Sequence, residues 1–104
     1  VKNGELHGTS YSYDENGKVT EEITFKKGMK EGASKLYYPS GAVAAKLNYR
    51  NDRYEGLQKY YYENGKLQAE IEMSKGQLDG VTKMYDENGK LKEETIYKNG
   101  KKVK

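Results

Sequence analysis

Apolar and polar residues alternate along short stretches of this chain, and the alternation returns at regular intervals. Val19, Ile23 and Phe25 share one parity, and threonine and glutamate fill the positions between them. The same alternation returns over residues 43–49 and 67–73. A period of two is typical of a β-strand with one covered and one solvated face. The pattern therefore predicts a series of short strands, and no segment predicts a helix.

Turn sequences separate these strands. A second, shorter strand is predicted before each of them, for example over residues 34–38 and 58–62. Asp-Glu-Asn-Gly at 14–17 and 86–89 joins two strands, because Asn-Gly readily takes the positive φ that a tight hairpin requires. A further turn at Lys27-Gly28, with counterparts in the later units, leads the chain into the next hairpin.

Glycine and tyrosine recur every 24 residues, and all 12 glycines fall into three columns of this period. Repeats this short bury their apolar positions only against their neighbours. We therefore predict an all-β fold of tandem antiparallel β-hairpin repeats, about eight strands forming an elongated single-sheet ribbon. The units are expected at about residues 4–27, 28–51, 52–75 and 76–99, followed by a partial unit or cap at 100–104.

Composition changes this picture in one respect. Leu, Ile, Val and Phe number 16 among 104 residues, which is low for a conventional core. The net charge of +3 is nevertheless small for a disordered chain, and 11 tyrosines supply large apolar rings. We expect a thin, tyrosine-rich interior, with a structural ladder of rings that stack from unit to unit. The ladder residues are Tyr13, Tyr37, Tyr61 and Tyr85.

The residues that carry most enzyme chemistry are sparse. The chain has no cysteine, hence no thiolate nucleophile or metal site, and its single histidine, His7, has no evident triad partner. Pairs such as Glu21-Glu22 point to opposite faces of a strand, and the acidic turns lack the ligand spacing of a calcium loop. No apolar run of about 20 residues and no secretion signal is visible. We expect no catalytic residue, metal or cofactor.

The phrase at residues 3–8, Asn-Gly-Glu-Leu-His-Gly, precedes an aromatic strand and Asn16-Gly17. This pattern resembles the MORN repeat (membrane occupation and recognition nexus), and most closely its bacterial variant. The resemblance covers essentially the whole chain. Only the first unit keeps histidine before its glycine, and a second glycine of the commoner pattern is replaced in every unit, by Ser10, Ser34, Gln58 and Thr82.

Three functions follow from the resemblance. MORN arrays are described as protein-interaction scaffolds, which implies a protein or peptide partner. Lipid binding is proposed for some, and in plants such repeats precede the catalytic domain of phosphatidylinositol-4-phosphate 5-kinases. The sequence has no glycine-rich kinase loop, His-Arg-Asp or Asp-Phe-Gly motif, so a kinase name would be inherited by similarity and we expect no enzyme. Bacterial variant proteins are also labelled antitoxins, which implies a toxin–antitoxin or immunity-like role.

Positions that differ between units are the candidates for a binding surface. Four tyrosines of the middle units lack aromatic counterparts in at least two other units, and we predict a partner patch, or alternatively extra cover for a thin sheet, at Tyr38, Tyr54, Tyr60 and Tyr62. A row of lysines roughly 10 Å apart would meet an acidic protein or anionic lipid headgroups, or would simply form a solvated face. The row consists of Lys35, Lys59 and Lys83.

Two further partner classes follow from charge and strand edges. Nucleic acid is disfavoured, because abundant glutamate would repel the phosphate backbone. Edge-to-edge self-association is an expected property of a ribbon whose outer strands are open.

Overall fold

The computed structural model describes residues 8–103, which form one open sheet without a helix. Neighbouring strands pair antiparallel in the order in which they occur in the chain, except that the short β5 lies beside β4. The strands are β1 (Gly8–Tyr13), β2 (Val19–Lys26), β3 (Met29–Tyr37), β4 (Val43–Arg50), β5 (Arg53–Tyr54), β6 (Gly56–Tyr61), β7 (Leu67–Ser74), β8 (Gln77–Tyr85), β9 (Leu91–Lys98) and β10 (Lys101–Lys102).

The predicted all-β hairpin ribbon is confirmed. Its principal extents are 46 × 33 × 15 Å. Two strands of two residues, β5 and β10, add to the eight that the periodicity predicts. In the 24-residue repeat, β5 and β10 correspond to the first residues of the longer strands β3 and β8, which begin at Met29 and Gln77. The repeat is therefore the same, and only the hydrogen bonding of these strands is interrupted.

The turns between units are the tight ones. In the turn at Lys27-Gly28 both central residues have positive φ, 53° and 79°, as in a type I′ turn. The counterpart at Asn51-Asp52 reaches φ of 51° and 68° without glycine, which asparagine and aspartate tolerate better than other residues. This geometry matches the right-handed twist of the flanking strands and reverses the chain within two residues.

The turns within units are longer than the predicted Asn-Gly hairpin. Gly17 has φ of 79°, whereas Asn16 does not take positive φ. The Asp14 carboxylate accepts the backbone N–H groups of Asn16 at 2.8 Å and Lys18 at 3.0 Å. This side-chain bonding stabilises a wider turn, and the strand register shifts between Ser12 and Tyr13 beside it.

The sheet has two different faces. On the packed face, Ala45, Leu47 and Ala69 are 1%, 4% and 4% exposed, and they lie at the centre of the ribbon. The rings of Tyr49 and Tyr54 stack over this region with centroids 5.0 Å apart. Aromatic rings therefore shield the packed face from water, together with a small number of aliphatic side chains. This explains how a chain with so few aliphatic residues supports the fold.

Gly80 offers a test of the backbone packing. It has φ of 115°, and a Cβ there would lie 2.6 Å from Oε2 of Glu72. Gly56 has φ of 93° and nothing within 4 Å of the same position. We expect Gly80→Ala to lower the free energy of unfolding by about 2 kcal/mol, and Gly56→Ala, which carries backbone strain alone, by about 1 kcal/mol. Equal urea midpoints for the two variants would contradict the close approach of Glu72.

Candidate functional site

The second face of the sheet, the charged face, carries one row of residues in direct cross-strand register. Each of seven neighbouring strands contributes one member, and each member lies opposite the next. In order across the ribbon, the row is Glu22, Lys35, Lys46, Lys59, Glu70, Lys83 and Glu94.

Acidic and basic residues alternate along this row except at Lys46. Its counterparts in the 24-residue repeat are Glu22, Glu70 and Glu94. Three lysines on adjacent strands, Lys35, Lys46 and Lys59, thus lie side by side, and we call them the lysine triad. Like charges directly opposite each other destabilise a sheet, so the triad runs against the stability of the fold.

Among the described residues, the triad lysines form no ion pair of the kind that Lys83 forms with Glu94. Lys83 Nζ lies 3.9 Å from Glu94 Oε2, with both side chains about half exposed. Within residues 8–103, none of the triad ammoniums lies within 4.0 Å of a carboxylate. The centre of the charged face therefore carries a positive patch of three adjacent lysines, with Glu22 opposite one end of the triad and Glu70 opposite the other.

The tyrosines beside the row show which interaction is lost where Lys46 replaces glutamate. The Tyr37 hydroxyl donates to Glu22 at 3.3 Å, and the Tyr85 hydroxyl donates to Glu70 at 3.1 Å. In the unit between them, Lys46 Nζ lies 5.6 Å from the ring centroid of Tyr61. A cation–π contact has thus taken the place of a hydrogen bond, and it holds the Lys46 ammonium near the surface of the sheet.

A shallow groove of about 310 Å³ lies against the triad. Its other walls include Ala33, Asn48 and Leu57, and the Leu57 side chain is 36% exposed. The groove floor is held by hydrogen bonds between strands: the Asn48 side-chain amide donates to the Leu57 carbonyl at 2.6 Å, and the Asn48 N–H donates to Gln58 Oε1 at 2.7 Å. The site thus combines three ammoniums with an apolar wall on a rigid floor.

The lysine row predicted from the sequence is divided in the structure. Lys35 and Lys59 belong to the triad, whereas Lys83 is separated from them by Glu70 and contacts Glu94. The sequence interpretation does not include Lys46. The signal was present: Lys46 is the one basic residue in a column of glutamates.

The four tyrosines of the predicted partner patch are half-buried and lie in two different parts of the sheet. The Tyr38 hydroxyl donates to the main-chain carbonyl of Tyr61, and the Tyr62 hydroxyl donates to that of Tyr85 at 2.7 Å. Each bond links one unit to the next near the hairpin turns. Tyr54 and Tyr60 lie on the packed face, against Tyr49 and Ala45. The structure therefore does not bring the four rings together into one patch.

The ladder tyrosines line the charged face. Tyr37, Tyr61 and Tyr85 are half-buried and occupy one row across the sheet, beside the lysine and glutamate row. Tyr13 is 61% exposed, which differs from the buried ring expected of a ladder residue. It belongs to β1, which has a neighbouring strand on one side only among the described residues. His7 lies outside the described residues.

Tyrosine burial predicts an alkaline loss of stability. Burial, the Tyr54 hydroxyl and nearby charges raise the pKa of Tyr49 well above its ordinary value of 10.0, and burial and Tyr54 also raise the pKa of Tyr60. Because the unfolded chain ionises first, this contribution to stability is complete below pH 10 and declines as the pH rises above it. Urea unfolding at pH 9, 10 and 11 should show the decline, and Tyr49→Phe should reduce it. A pH-independent midpoint would contradict the burial of these hydroxyls.

Lys46→Glu is expected to stabilise the fold. The substitution completes the alternation of acid and base across seven strands and offers Tyr61 the carboxylate that Tyr37 and Tyr85 have. We expect a gain of about 1 kcal/mol and a rise in Tm of about 5 °C. Lys102→Glu, at an exposed position of β10, is the control with the same change of net charge. A lower Tm for Lys46→Glu than for the control would refute the register of the row.

The architecture defines a tandem β-hairpin repeat protein, and a family model identifies the type of repeat. The family model described as the MORN repeat variant matches residues 6–27, 30–51, 54–75 and 78–99. These matches cover most of the chain, which therefore belongs to the MORN repeat variant family, and the resemblance drawn from its motifs is confirmed. Comparison with curated proteins gave no match.

The family match agrees with a binding module rather than a catalytic fold, since MORN repeats are not a catalytic family. In the part of the chain that the structure describes, no group of three or more acidic or histidine side chains is placed to hold a metal ion. Residues 8–103 likewise contain no helix with the length and apolar character of a membrane span.

Proposed function

We propose that this chain is a non-catalytic repeat scaffold that binds an acidic partner protein on its charged face. The observation that carries the proposal is Lys46, the one position where the row departs from alternation. The other three units have glutamate at this place. Glu22 and Glu70 each accept a hydrogen bond from a tyrosine hydroxyl, and Glu94 lies 3.9 Å from the Lys83 ammonium. Residues that break a local stabilising rule are expected at functional sites, and the contact between Lys46 and the Tyr61 ring leaves the positive charge of Lys46 in place.

The shape of the molecule supports a protein partner. The ribbon presents a face of about 46 × 33 Å, and repeat proteins use extended surfaces of this kind for binding. The groove beside the triad is shallow and open, which suits contact with a protein surface more than enclosure of a small molecule. A positive patch favours a partner of opposite charge and accelerates its encounter.

Lys46→Glu provides the test, because it removes the central positive charge of the patch and is expected to stabilise the fold. Wild type, Lys46→Glu and Lys102→Glu would be immobilised in equal amounts, exposed to native lysate and compared by quantitative mass spectrometry. We expect one acidic protein to be retained by wild type and Lys102→Glu and lost by Lys46→Glu. Retention by all three variants would show that the charged face is not the docking surface. If the partner is a toxin, the same experiment would support the antitoxin or immunity-like role.

An anionic membrane surface is the second candidate. The triad lies on a flat polar face, and each lysine near an anionic bilayer contributes about 1 kcal/mol. Glu22 and Glu70 on either side of the triad reduce that attraction for a wide surface. Flotation with phosphatidylserine liposomes, comparing wild type with the triple variant Lys35→Glu, Lys59→Glu and Lys83→Glu, tests the idea. Equal flotation of the two proteins would reject lipid binding by the lysine row.

A further inference from the structure

We infer that the lysine triad and its groove bind a short acidic peptide segment that carries an apolar side chain two residues from a carboxylate. The inference rests on the proposed function and specifies the chemistry of the partner. The triad supplies the charge, and Ala33 and Leu57 supply the apolar contact in the same groove. The recognised feature is a local segment, because the positive patch is confined to the centre of the ribbon.

The width of the patch limits the ligand. Lys35 and Lys59 are separated by two inter-strand spacings, about 10 Å, with Lys46 between them. Glu22 lies one strand beyond Lys35, and Glu70 lies one strand beyond Lys59. A compact anionic group fits between these carboxylates, whereas a longer polyanion laid across the strands would meet repulsion at both ends.

The apolar wall of the groove lies two residues along the strands from the lysines. Ala33 is two residues before Lys35, and Leu57 is two residues before Lys59, so the apolar positions lie about 6.7 Å along the strands from the triad. An extended peptide repeats its side chains on one side at the same interval. A segment lying along the strands would thus place a carboxylate on the triad and the side chain two residues away on Leu57.

Leu57 is an exposed large hydrophobic side chain at the centre of the ribbon. Among the described residues, the other large hydrophobic side chains exposed to a similar degree lie on β1 or at and after β9, at the two ends of the sheet: Tyr11, Tyr13, Leu91, Ile96 and Val103. Leu57 alone of this group lies at the centre, between the groove of the triad and a second groove lined by Glu70, Glu72 and Lys83. With two carboxylates and one lysine, the second groove is less favourable for the acidic end of a segment than the triad is, which directs that end toward the triad.

An NMR titration of the whole chain with synthetic peptides tests the inference. The probe is the blocked hexapeptide Gly-Glu-Glu-Gly-Leu-Gly, added to 15N-labelled protein at 50 mM salt. We expect amide shifts centred on Lys35, Lys46 and Leu57. We also expect affinity at least about ten-fold weaker for the peptide with glutamine in place of glutamate, and about five-fold weaker for the peptide with serine in place of leucine.

Protein variants separate the two parts of the site. Lys46→Glu should reduce affinity for the hexapeptide by at least about ten-fold, and Lys102→Glu should leave it unchanged. Leu57→Ser should bind the leucine and serine peptides equally, while keeping the preference for glutamate over glutamine. Unfolding midpoints measured on the same samples confirm that each variant is folded.

Several results would overturn the inference. These are equal affinity for the leucine and serine peptides in wild type, tighter binding of a 12-residue oligoglutamate than of the hexapeptide, and shifts produced only by phosphatidylserine vesicles. Absence of any shift with the hexapeptide would overturn it as well. The proposed function is judged separately, since a protein captured by wild type and lost by Lys46→Glu would still support docking on the charged face.

Discussion

Gln58→Ala is expected to lower the free energy of unfolding by about 3 kcal/mol. Gln58 is 1% exposed and lies where the ladder between β4 and β6 is interrupted. Its amide oxygen accepts the Asn48 N–H at 2.7 Å, and its amide nitrogen donates to the Asn48 carbonyl at 3.1 Å. Removing the amide leaves the part-buried Asn48 N–H without its acceptor and a cavity between the two central units.

Urea unfolding and hydrogen exchange measure this effect. Gln77→Ala, at an exposed position at the start of β8, is the matched control and should change stability by less than about 0.5 kcal/mol. In Gln58→Ala the Asn48 amide should exchange much faster than the amides of β7. A loss of stability no greater than that of the control would mean that main-chain bonds alone hold the central junction.

Leu47→Ala is expected to cost a similar amount, about 3 kcal/mol. Leu47 is 4% exposed, and its counterparts Ile23 and Ile71 are only half-buried. It lies opposite Ser34 in β3, so the lost side chain leaves a cavity on the packed face at the centre of the ribbon. In a repeat array a defect at the centre removes support from the units on both sides.

Leu91→Ala is the control for this substitution, because Leu91 is 52% exposed near one end of the sheet. We expect it to cost less than about 1 kcal/mol in the same urea titration. If the two leucine variants had equal urea midpoints, the two leucines would contribute equally to stability despite their different exposure. That outcome would conflict with the burial pattern.

The repeat length, the strand alternation and the turn positions were predictable because each is a local property. The turn at Lys27-Gly28 and the period of two around Ile23 follow from the residues themselves. The longer turn at 14–17 was not predicted. It forms because the Asp14 carboxylate accepts hydrogen bonds from the backbone N–H groups of Asn16 and Lys18, which stabilises a wider turn than a two-residue hairpin. Side-chain bonding of this kind depends on geometry that residue preference does not specify.

The candidate site was predictable only in part. Lys35 and Lys59 were identified as members of a row, but Lys46, which lies opposite both of them in the sheet, is 11 residues from one and 13 from the other in the chain. Likewise the hydroxyls of Tyr38 and Tyr62 bond to the following units, 23 residues away. Which columns become neighbours depends on strand register, which the 24-residue period alone does not give.

The sequence by itself determined the family and the all-β hairpin ribbon, since glycine columns, turn residues and parity act over a few residues and repeat four times. Tertiary structure alone decided which charges meet. Pairing β4 between β3 and β6 puts Lys46 beside Lys35 and Lys59 and brings Leu57 to the same groove. Electrostatic and apolar contacts depend on distances between strands, and those distances exist only once the strands have paired.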